Sequence, residues 1–275
     1  MNYKIVSDSS SNVLAFSGVD FKSVPLKIIT AKHEYVDNAE LDVEKMVKEV
    51  KETKGKSGTS CPNIGDWLSA FEGGDVVFAI TITSRLSGSY ASAEQAAKIF
   101  MDAHPGSKVF VVDSLSTGPE MKLLVEHISD LMNQEKSFEE IRDSVTEYKN
   151  HTNLLFSLES LTNLARNGRV NPAVAKIAGV LGIRVLGAAT EGVLDPLHKI
   201  RGEAKTIDMM FAEMKKRGFS GGKVRIDHCF NLEAAKSLAK KILAEFPGCD
   251  VKIGENHALC SFYAEKGGIL TGFEN

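Results

Sequence analysis

The first half of the chain alternates uncharged, β-branched runs with helical patterns, and this alternation restricts the possible folds most strongly. A short apolar strand, YKIV, begins at Tyr3, and the run DVVFAITIT from Asp75 is typical of a strand buried on both faces. Helical periodicity begins at Ser89, KVFVVD from Lys108 is the next strand, and a second helical pattern starts with Pro119 in its first turn. Strands and helices in this order predict right-handed crossovers and a largely parallel sheet with flanking helices.

The second half of the chain has a different pattern. Two strands joined at Glu191-Gly192 predict a hairpin, and a helix is expected over about residues 202–217. The runs KVRIDHCF, LEAAKSLAKKILAEF and DVKIGENH predict strand, helix and strand, and SLESLTNLA and PAVAKIAGVLG predict two short helices. We therefore expect an α/β protein of two domains, a parallel-sheet domain over 1–152 and an α+β domain over 153–275.

Composition excludes several classes of function. The net charge is −3 and no basic block stands out, which argues against a nucleic-acid partner. The longest apolar region, AVAKIAGVLGIRVLGAA, is interrupted by Lys176 and Arg184, so we do not expect it to span a membrane. The N-terminus lacks the apolar core of a signal peptide, and the four cysteines form no C-x-x-C pair. These features predict reduced thiols and a cytoplasmic location.

The motifs of the common nucleotide, hydrolase and metal enzymes are missing from the sequence. Neither the dinucleotide pattern G-x-G-x-x-G nor the phosphate-loop pattern G-x-x-x-x-G-K-[ST] occurs. The nucleophile pattern G-x-S-x-G and the zinc pattern H-E-x-x-H are also missing, and the seven histidines are scattered. We therefore expect neither a metal ion nor a cofactor.

Polar loops follow three of the predicted strands, over residues 7–11, 83–89 and 113–118. The carboxyl ends of parallel strands meet at one edge of a sheet, where ligands of such folds bind. A fourth hydroxyl-rich stretch, GTSCPN from Gly58, precedes a helical pattern. Hydroxyls, backbone amides and helix N-termini together suit a carboxylate or a phosphate. Any one serine or threonine is more simply explained as a helix cap, so the prediction of an anion site depends on the combination.

Six short motifs occur in an order that resembles the DegV family of bacterial fatty-acid-binding proteins. They are VSDSSSN, TSCP, TSRLSGSYASA, VVDSLSTG, LARNGRV and KIRGEAKT, and they extend over most of the chain. The resemblance implies two α/β domains with a long-chain fatty acid buried between them. It also implies a carrier rather than a catalyst, because family members of known role present the acyl group to a fatty acid kinase. That kinase makes acyl phosphate for phospholipid synthesis.

The resemblance assigns the head-group site to the two hydroxyl-rich loops. Thr59 and Ser87 are expected to hydrogen-bond the fatty acid carboxylate. Ser60, Ser84 and Gly88 are expected to shape this site or to donate amide or hydroxyl protons to it. Hydroxyls and amides can hold an anion without a buried cation, and hydrogen bonds to a charged group are the stronger kind.

Three further residues match family positions. His257 corresponds to a histidine near the head group, with a surface residue at a strand end as the alternative. Arg169 and Arg201 correspond to arginines that work with the kinase, and an arginine beside the head group would stabilise a transferring phosphoryl group. Two solvated surface arginines are the alternative. The small-residue region that begins at Ala173 is expected to form the wall around the tail, or else to be ordinary core.

The sequence also departs from the family pattern. Cys61 replaces a common glutamine, Asn167 replaces a glycine, and ALCSFYA occupies the place of a Gly-Pro-Gly after the histidine. An acyltransferase or hydrolase that uses Cys61 or Ser87 as its nucleophile is the alternative function, since a cysteine at a helix start can have a lowered pKa. The sequence assigns no His–Asp pair to activate either residue. A protein that binds other proteins and no lipid is a third alternative.

Overall fold

The computed structural model describes residues 1–52, 55–171 and 182–275. The strands are β1 (Tyr3–Asp8), β2 (Asp20–Val24), β3 (Lys27–Ile29), β4 (Glu34–Val36), β5 (Gly58–Ser60), β6 (Val76–Thr81), β7 (Lys108–Asp113), β8 (Thr152–Leu158), β9 (Ile183–Thr190), β10 (Val193–Arg201), β11 (Lys223–His228), β12 (Asp250–Glu255) and β13 (Ile269–Glu274). The helices are α1 (Val43–Glu52), α2 (Ile64–Phe71), α3 (Ser89–Ala103), α4 (Pro119–Asn133), α5 (Phe138–Tyr148), α6 (Thr162–Arg166), α7 (Glu203–Lys216), α8 (Leu232–Glu245) and α9 (Ala258–Ala264).

The first half contains the predicted parallel sheet. Its four strands have the order β2-β1-β6-β7, and each neighbouring pair is parallel. Side chains of β6 alternate between two cores, because successive residues of a strand point to opposite faces. Phe78 and Ile80 pack with α4 and α5, whereas Val77 and Ala79 pack with α2 and α3. Helices on both faces explain why β6 reads as a continuous apolar run.

The second half contains a mixed sheet of six strands in the order β10-β9-β8-β13-β11-β12. The predicted hairpin joins β9 and β10, and its turn residues Glu191 and Gly192 have φ of 49° and 82°. Positive φ at both positions is what a tight turn with the twist of a hairpin requires. Helices α7 and α8 cover one face of this sheet, and on β8 only Leu155 points into that core. Leu154 and Phe156 point to the opposite face, toward the first half of the chain.

A third, small sheet lies between these two and was not predicted. It has the order β4-β3-β5 and is antiparallel throughout, and its β5 contains residues expected to form a loop at GTSCPN. Ile28 of β3 packs with Met46, Ala258 and Phe262, so α9 from the second half shares a core with the first half. The prediction of a helix at SLESLTNLA was wrong in its first part, because Leu158 ends β8. The helix expected at PAVAKIAGVLG lies outside the described residues.

Asp37 fixes α9 against the first half of the chain. Its carboxylate is fully buried and accepts hydrogen bonds from the backbone amides of Ala258 at 2.9 Å and Leu259 at 3.0 Å. These amides belong to the first turn of α9, where backbone N–H groups have no partner within the helix. The carboxylate also accepts a hydrogen bond from Ser9 Oγ at 2.9 Å, and His257 Nδ1 lies 2.5 Å from it.

A second buried acid lies where α4 meets β8. Glu120, in the first turn of α4, accepts hydrogen bonds from Ser116 Oγ and from Thr152 Oγ1, the latter at 2.8 Å. Burial raises the pKa of Glu120 to about 7, although these hydrogen bonds and the charges of Arg217 and Lys149 act in the lowering direction. The carboxyl group therefore changes its charge near neutral pH.

Wild type should lose stability as the pH rises from about 5 to about 8. We predict that Glu120→Gln reduces this loss. Because the pKa of Glu120 is higher in the folded than in the unfolded chain, the folded chain binds more protons in this range and stability falls as the pH rises. Glutamine does not ionise, so the fall should shrink by roughly 1–3 kcal/mol in urea unfolding experiments. Glu72→Gln, at an exposed position, is the control. The same pH dependence in wild type and Glu120→Gln would contradict this assignment.

Candidate functional site

The loops after β1 and β6 meet at the carboxyl edge of the parallel sheet, as predicted. Asp8, at the end of β1, is fully buried and accepts hydrogen bonds from the amide of Ile82 at 2.9 Å and from Ser89 Oγ at 2.7 Å. Ser10 donates to it through both its amide and its hydroxyl. Burial raises the pKa of Asp8 to about 6, with these hydrogen bonds lowering it. The serine-rich turn after β1 thus anchors the 83–89 loop.

Four of the predicted head-group residues line one end of a single cavity: Thr59, Ser60, Ser87 and Gly88. The first two belong to β5, and the other two belong to the loop that precedes α3. A β-carbon placed on Gly88 would lie 3.3 Å from Sγ of Cys61, which shows that the two segments touch. We call this hydroxyl-lined end of the cavity the mouth.

The structure does not bring the other two predicted residues, Ser84 and His257, to the cavity lining. Ser84 is exposed, and its amide donates to Asp113 Oδ1 at 3.1 Å on the outer side of the loop. His257 precedes α9, and its imidazole lies against Asp37. A histidine held by a buried carboxylate supports α9 and does not point at the mouth.

Arg169, which the resemblance pairs with the kinase, lines the cavity. Its Nε donates to the carbonyl of Leu86 at 3.1 Å, and its Nη1 donates to the carbonyl of Asn167. Both acceptors are neutral, and no ion pair between described residues includes this half-buried guanidinium. The structure therefore places a positive charge beside the hydroxyls at the mouth.

Arg201 lies far from the mouth. It is exposed and ends β10, whose first residue, Val193, follows the hairpin turn. That turn touches the 83–89 loop, since Thr83 Oγ1 donates to the carbonyl of Gly192 at 3.1 Å. At about 3.3 Å per residue, the eight steps from Val193 to Arg201 span about 26 Å. The two arginines that the resemblance pairs therefore occupy different environments.

Most of the remaining lining of the cavity is apolar. The whole cavity has a volume of about 240 Å³, and an apolar cavity of this order favours a hydrocarbon guest over water. Strand β8 contributes alternate residues to the lining, and α9 contributes residues on one helical face. The apolar lining residues are Leu26, Ile82, Leu86, Leu154, Phe156, Leu158, Leu164, Leu194, Leu259, Ala264 and Leu270. The region from Ala173 that was expected to surround the tail lies outside the described residues as far as Leu181.

Tyr263 also lines the cavity, and the sequence reasoning did not include it. Its hydroxyl lies 2.8 Å from Thr59 Oγ1. The spacing of Leu259 and Tyr263, four residues apart, places them on one face of α9, and Cys260 and Ala264 have the same spacing. This periodicity in ALCSFYA was the available signal.

Comparison with known proteins identifies the family. A family model described as an uncharacterised protein of the DegV family matches residues 2–272. The chain belongs to the DegV family. A DegV domain-containing protein of Streptococcus pneumoniae is 40% identical over 279 aligned residues, which cover 100% of this chain and 99% of the relative.

Two solved structures resemble the whole chain and contain lipid. The Fak B3 protein of the Streptococcus pneumoniae fatty acid kinase, loaded with linoleic acid, has a TM-score of 0.98 and 40% identity over 100% of this chain and 99% of its own. A DegV family protein of Eubacterium eligens, loaded with heptadecanoic acid, has the same TM-score and identity over 99% of each chain. The fold of this chain is therefore that of fatty-acid-loaded DegV proteins.

The described lining of this DegV cavity contains no acidic residue and no histidine. All seven histidines lie in the described part of the chain, and none of them lines it. Cys61 and Ser87 are thus without an imidazole base at the mouth, unlike the usual activated nucleophiles. In the described ranges no group of acidic, histidine or cysteine side chains is arranged to hold a metal ion. None of the helices in those ranges combines the length and hydropathy needed to cross a bilayer.

Phe156 forms part of the cavity wall because its ring covers Gly187 of the neighbouring strand. A β-carbon on Gly187 would lie 2.2 Å from Cζ of Phe156 and 2.6 Å from the carbonyl oxygen of Asp195. The second contact involves backbone, which cannot move aside as the end of a flexible side chain can. The shape of the apolar end therefore requires glycine at this position.

We predict that Gly187→Ala lowers the free energy of unfolding by roughly 1–3 kcal/mol, the usual cost of overpacking a core. Gly248→Ala is the control, because a β-carbon there meets no heavy atom within 4 Å. The control should stay within about 0.5 kcal/mol of wild type in urea unfolding. Equal stability of the two variants would show that Phe156 and Asp195 are not packed as described.

Proposed function

We propose that this DegV protein binds a long-chain fatty acid, with the carboxylate at the mouth and the hydrocarbon tail in the apolar cavity. One observation carries the proposal: Arg169 is half-buried at the polar end of an apolar cavity and has no acidic partner among the described residues. A charge withdrawn from water without a counter-charge is costly. An amphipathic anion supplies that counter-charge and fills the cavity with its tail.

The hydroxyls at the mouth complete the anion site. Thr59 and Ser87 line it together with Arg169, and each offers an O–H proton. A carboxylate only accepts hydrogen bonds, and it has two oxygens that receive several donors. Hydrogen bonds that involve an ionised group each contribute about 1.5–3 kcal/mol. The combination of one cation with two hydroxyls therefore suits a carboxylate.

The tail supplies most of the affinity. Burial of each methylene group contributes about 0.8 kcal/mol, so a dozen methylenes contribute on the order of 10 kcal/mol before ordering costs. Away from the mouth the lining is mainly aliphatic and aromatic, with Thr117 and Cys260 as the exceptions, so the tail meets few polar groups. The linoleic and heptadecanoic acids in two relatives of 40% identity support a ligand of this length.

We further propose that the protein presents its bound fatty acid to the catalytic subunit of a fatty acid kinase, which forms acyl phosphate from it. The name of Fak B3 as part of a fatty acid kinase supports this partner. The cavity contains no histidine to act as a base, so in this proposal the partner and ATP supply the chemistry. The chain then acts as a carrier that needs no cofactor of its own.

The ligand prediction is tested on protein purified from a bacterial host. Denaturing extraction followed by mass spectrometry should release about one fatty acid per chain, because a ligand buried by this much apolar area dissociates slowly. Native and denaturing spectra with the same bare mass, combined with no heat on adding oleate, would contradict fatty acid binding.

The mouth is tested by substitution. Arg169→Gln, Thr59→Ala and Ser87→Ala should each weaken fatty acid binding roughly tenfold or more, since each removes a hydrogen bond to a charged group. Arg201→Gln and Ser84→Ala are matched controls outside the cavity, and they should bind as wild type does. Isothermal titration calorimetry on delipidated protein measures all five. If Arg169→Gln and Arg201→Gln lost the same fatty acid affinity, a specific role of Arg169 at the carboxylate would be contradicted.

The carrier role is tested with a fatty acid kinase and ATP. The loaded wild-type protein should yield acyl phosphate, which hydroxylamine traps as a hydroxamate, and the protein alone should yield none. Hydrolysis of a fatty acyl ester or thioester by the protein alone would favour the enzyme alternative with Cys61 or Ser87. Replacing these two residues by alanine would then have to abolish that hydrolysis.

A further inference from the structure

The hydrogen bond between Thr59 and Tyr263 crosses the mouth of the cavity. It joins β5 to α9, residues 204 positions apart in the chain, with 2.8 Å between the two hydroxyl oxygens. Thr59 is one of the residues assigned to the carboxylate site, and Tyr263 lines the same cavity. The phenol hydroxyl is therefore already next to a donor of that site.

The two hydroxyls carry two protons, and the bond between them uses only one. In the part of the chain that the structure describes, neither side chain makes a second hydrogen bond. Whichever hydroxyl donates in the pair, the other keeps an O–H proton for a further acceptor. The same cavity contains Arg169, which has no acidic partner among the described residues, so the acceptor that fits is an anion.

We propose that Tyr263 serves the fatty acid carboxylate as one member of a hydroxyl pair with Thr59: one hydroxyl donates within the pair, the other donates its remaining proton to the carboxylate, and the bond between them orients both before the ligand arrives. This inference rests on the fatty acid binding proposed above. Orientation before binding reduces the entropy that is lost when side chains become ordered around a ligand.

The position of Tyr263 is fixed by its surroundings. Its ring makes an edge contact with Phe262 at a centroid distance of 4.9 Å, and α9 is held by the carboxylate of Asp37. Burial raises the pKa of the Tyr263 hydroxyl, although the hydrogen bond with Thr59 and the charge of Arg169 lower it. The net direction is upward, so the phenol keeps its proton at neutral pH and remains a donor.

A structural tyrosine and a carboxylate ligand differ in their response to ligand charge. Tyr263→Phe keeps the ring and removes only the hydroxyl. We expect the affinity for oleic acid to fall roughly tenfold, and the affinity for oleyl alcohol to fall less than about threefold, because hydrogen bonds to an ionised acceptor are stronger. A tyrosine that only supports the wall would lower both affinities by the same factor.

Calorimetry on delipidated wild type, Tyr263→Phe, Thr59→Ala and the double variant tests the proposal. The two losses should be less than additive for oleic acid, because the hydroxyls are coupled. Tyr90→Phe, on α3 away from the cavity lining, should bind both ligands as wild type does. Urea unfolding should give Tyr263→Phe a midpoint close to that of wild type.

The outcomes separate the two proposals. Unchanged binding of oleic acid by Tyr263→Phe, or equal losses for the acid and the alcohol, would overturn the role of Tyr263 and leave fatty acid binding intact. Failure of wild type itself to bind oleic acid would overturn both. A selective loss for the acid with a less than additive double variant is the expected result.

Discussion

The carboxylate of Asp37 is the interaction on which the assembly of this site depends. It is buried in the first half of the chain and accepts the leading amides of α9, which belongs to the second half. Removal of a buried acceptor with this many donors leaves several polar groups unsatisfied, each at a cost of about 1–3 kcal/mol. The helix that it holds carries Leu259 and Tyr263 into the cavity. The carboxylate therefore links the packing of the two halves to the shape of the site.

The cavity also depends on how the two sheets divide their faces. The parallel sheet is covered by helices on both sides, so its contribution comes from the loops at its carboxyl edge. Helices α7 and α8 cover one face of the mixed sheet, and the opposite face, where α4 packs against part of the sheet, supplies the apolar wall through β8. The hydroxyls of Thr59 and Ser87 come from the first half of the chain, whereas most of the apolar lining comes from the second half, so the two parts meet only in the folded chain. An amphipathic ligand matches this division.

Much of the first half could be predicted from the sequence, because its signals are local. The continuous apolar run of β6 and the proline in the first turn of α4 determine structure through neighbouring residues, and so does the turn at Glu191-Gly192 in the second half. Grouping of the hydroxyl loops followed from the rule that parallel strands end at one edge. Thr59 and Ser60 lie on β5 of the antiparallel sheet, outside that rule, and only the family resemblance grouped them with Ser87 and Gly88, beside which they line the cavity.

The features that the sequence did not predict depend on tertiary contacts. Strands β3, β4 and β5 have three residues each, too few for a pattern, and α9 has seven residues and is stabilised by Asp37 from a distant segment. The sequence also did not show that Arg169 lines the cavity whereas Arg201 lies outside it. Both lie in short basic motifs, and the position of the Arg169 side chain depends on its hydrogen bonds to the carbonyls of Leu86 and Asn167.

Crystallography with a fatty acid brominated at its terminal carbon tests the central claim most directly, because anomalous scattering locates the bromine without a model of the ligand. The account predicts the bromine in the apolar end near Leu154 and Phe156, with the carboxylate within hydrogen-bonding distance of Arg169, Thr59 and Ser87. A bromine at the mouth, or a ligand bound elsewhere on the protein, would contradict it.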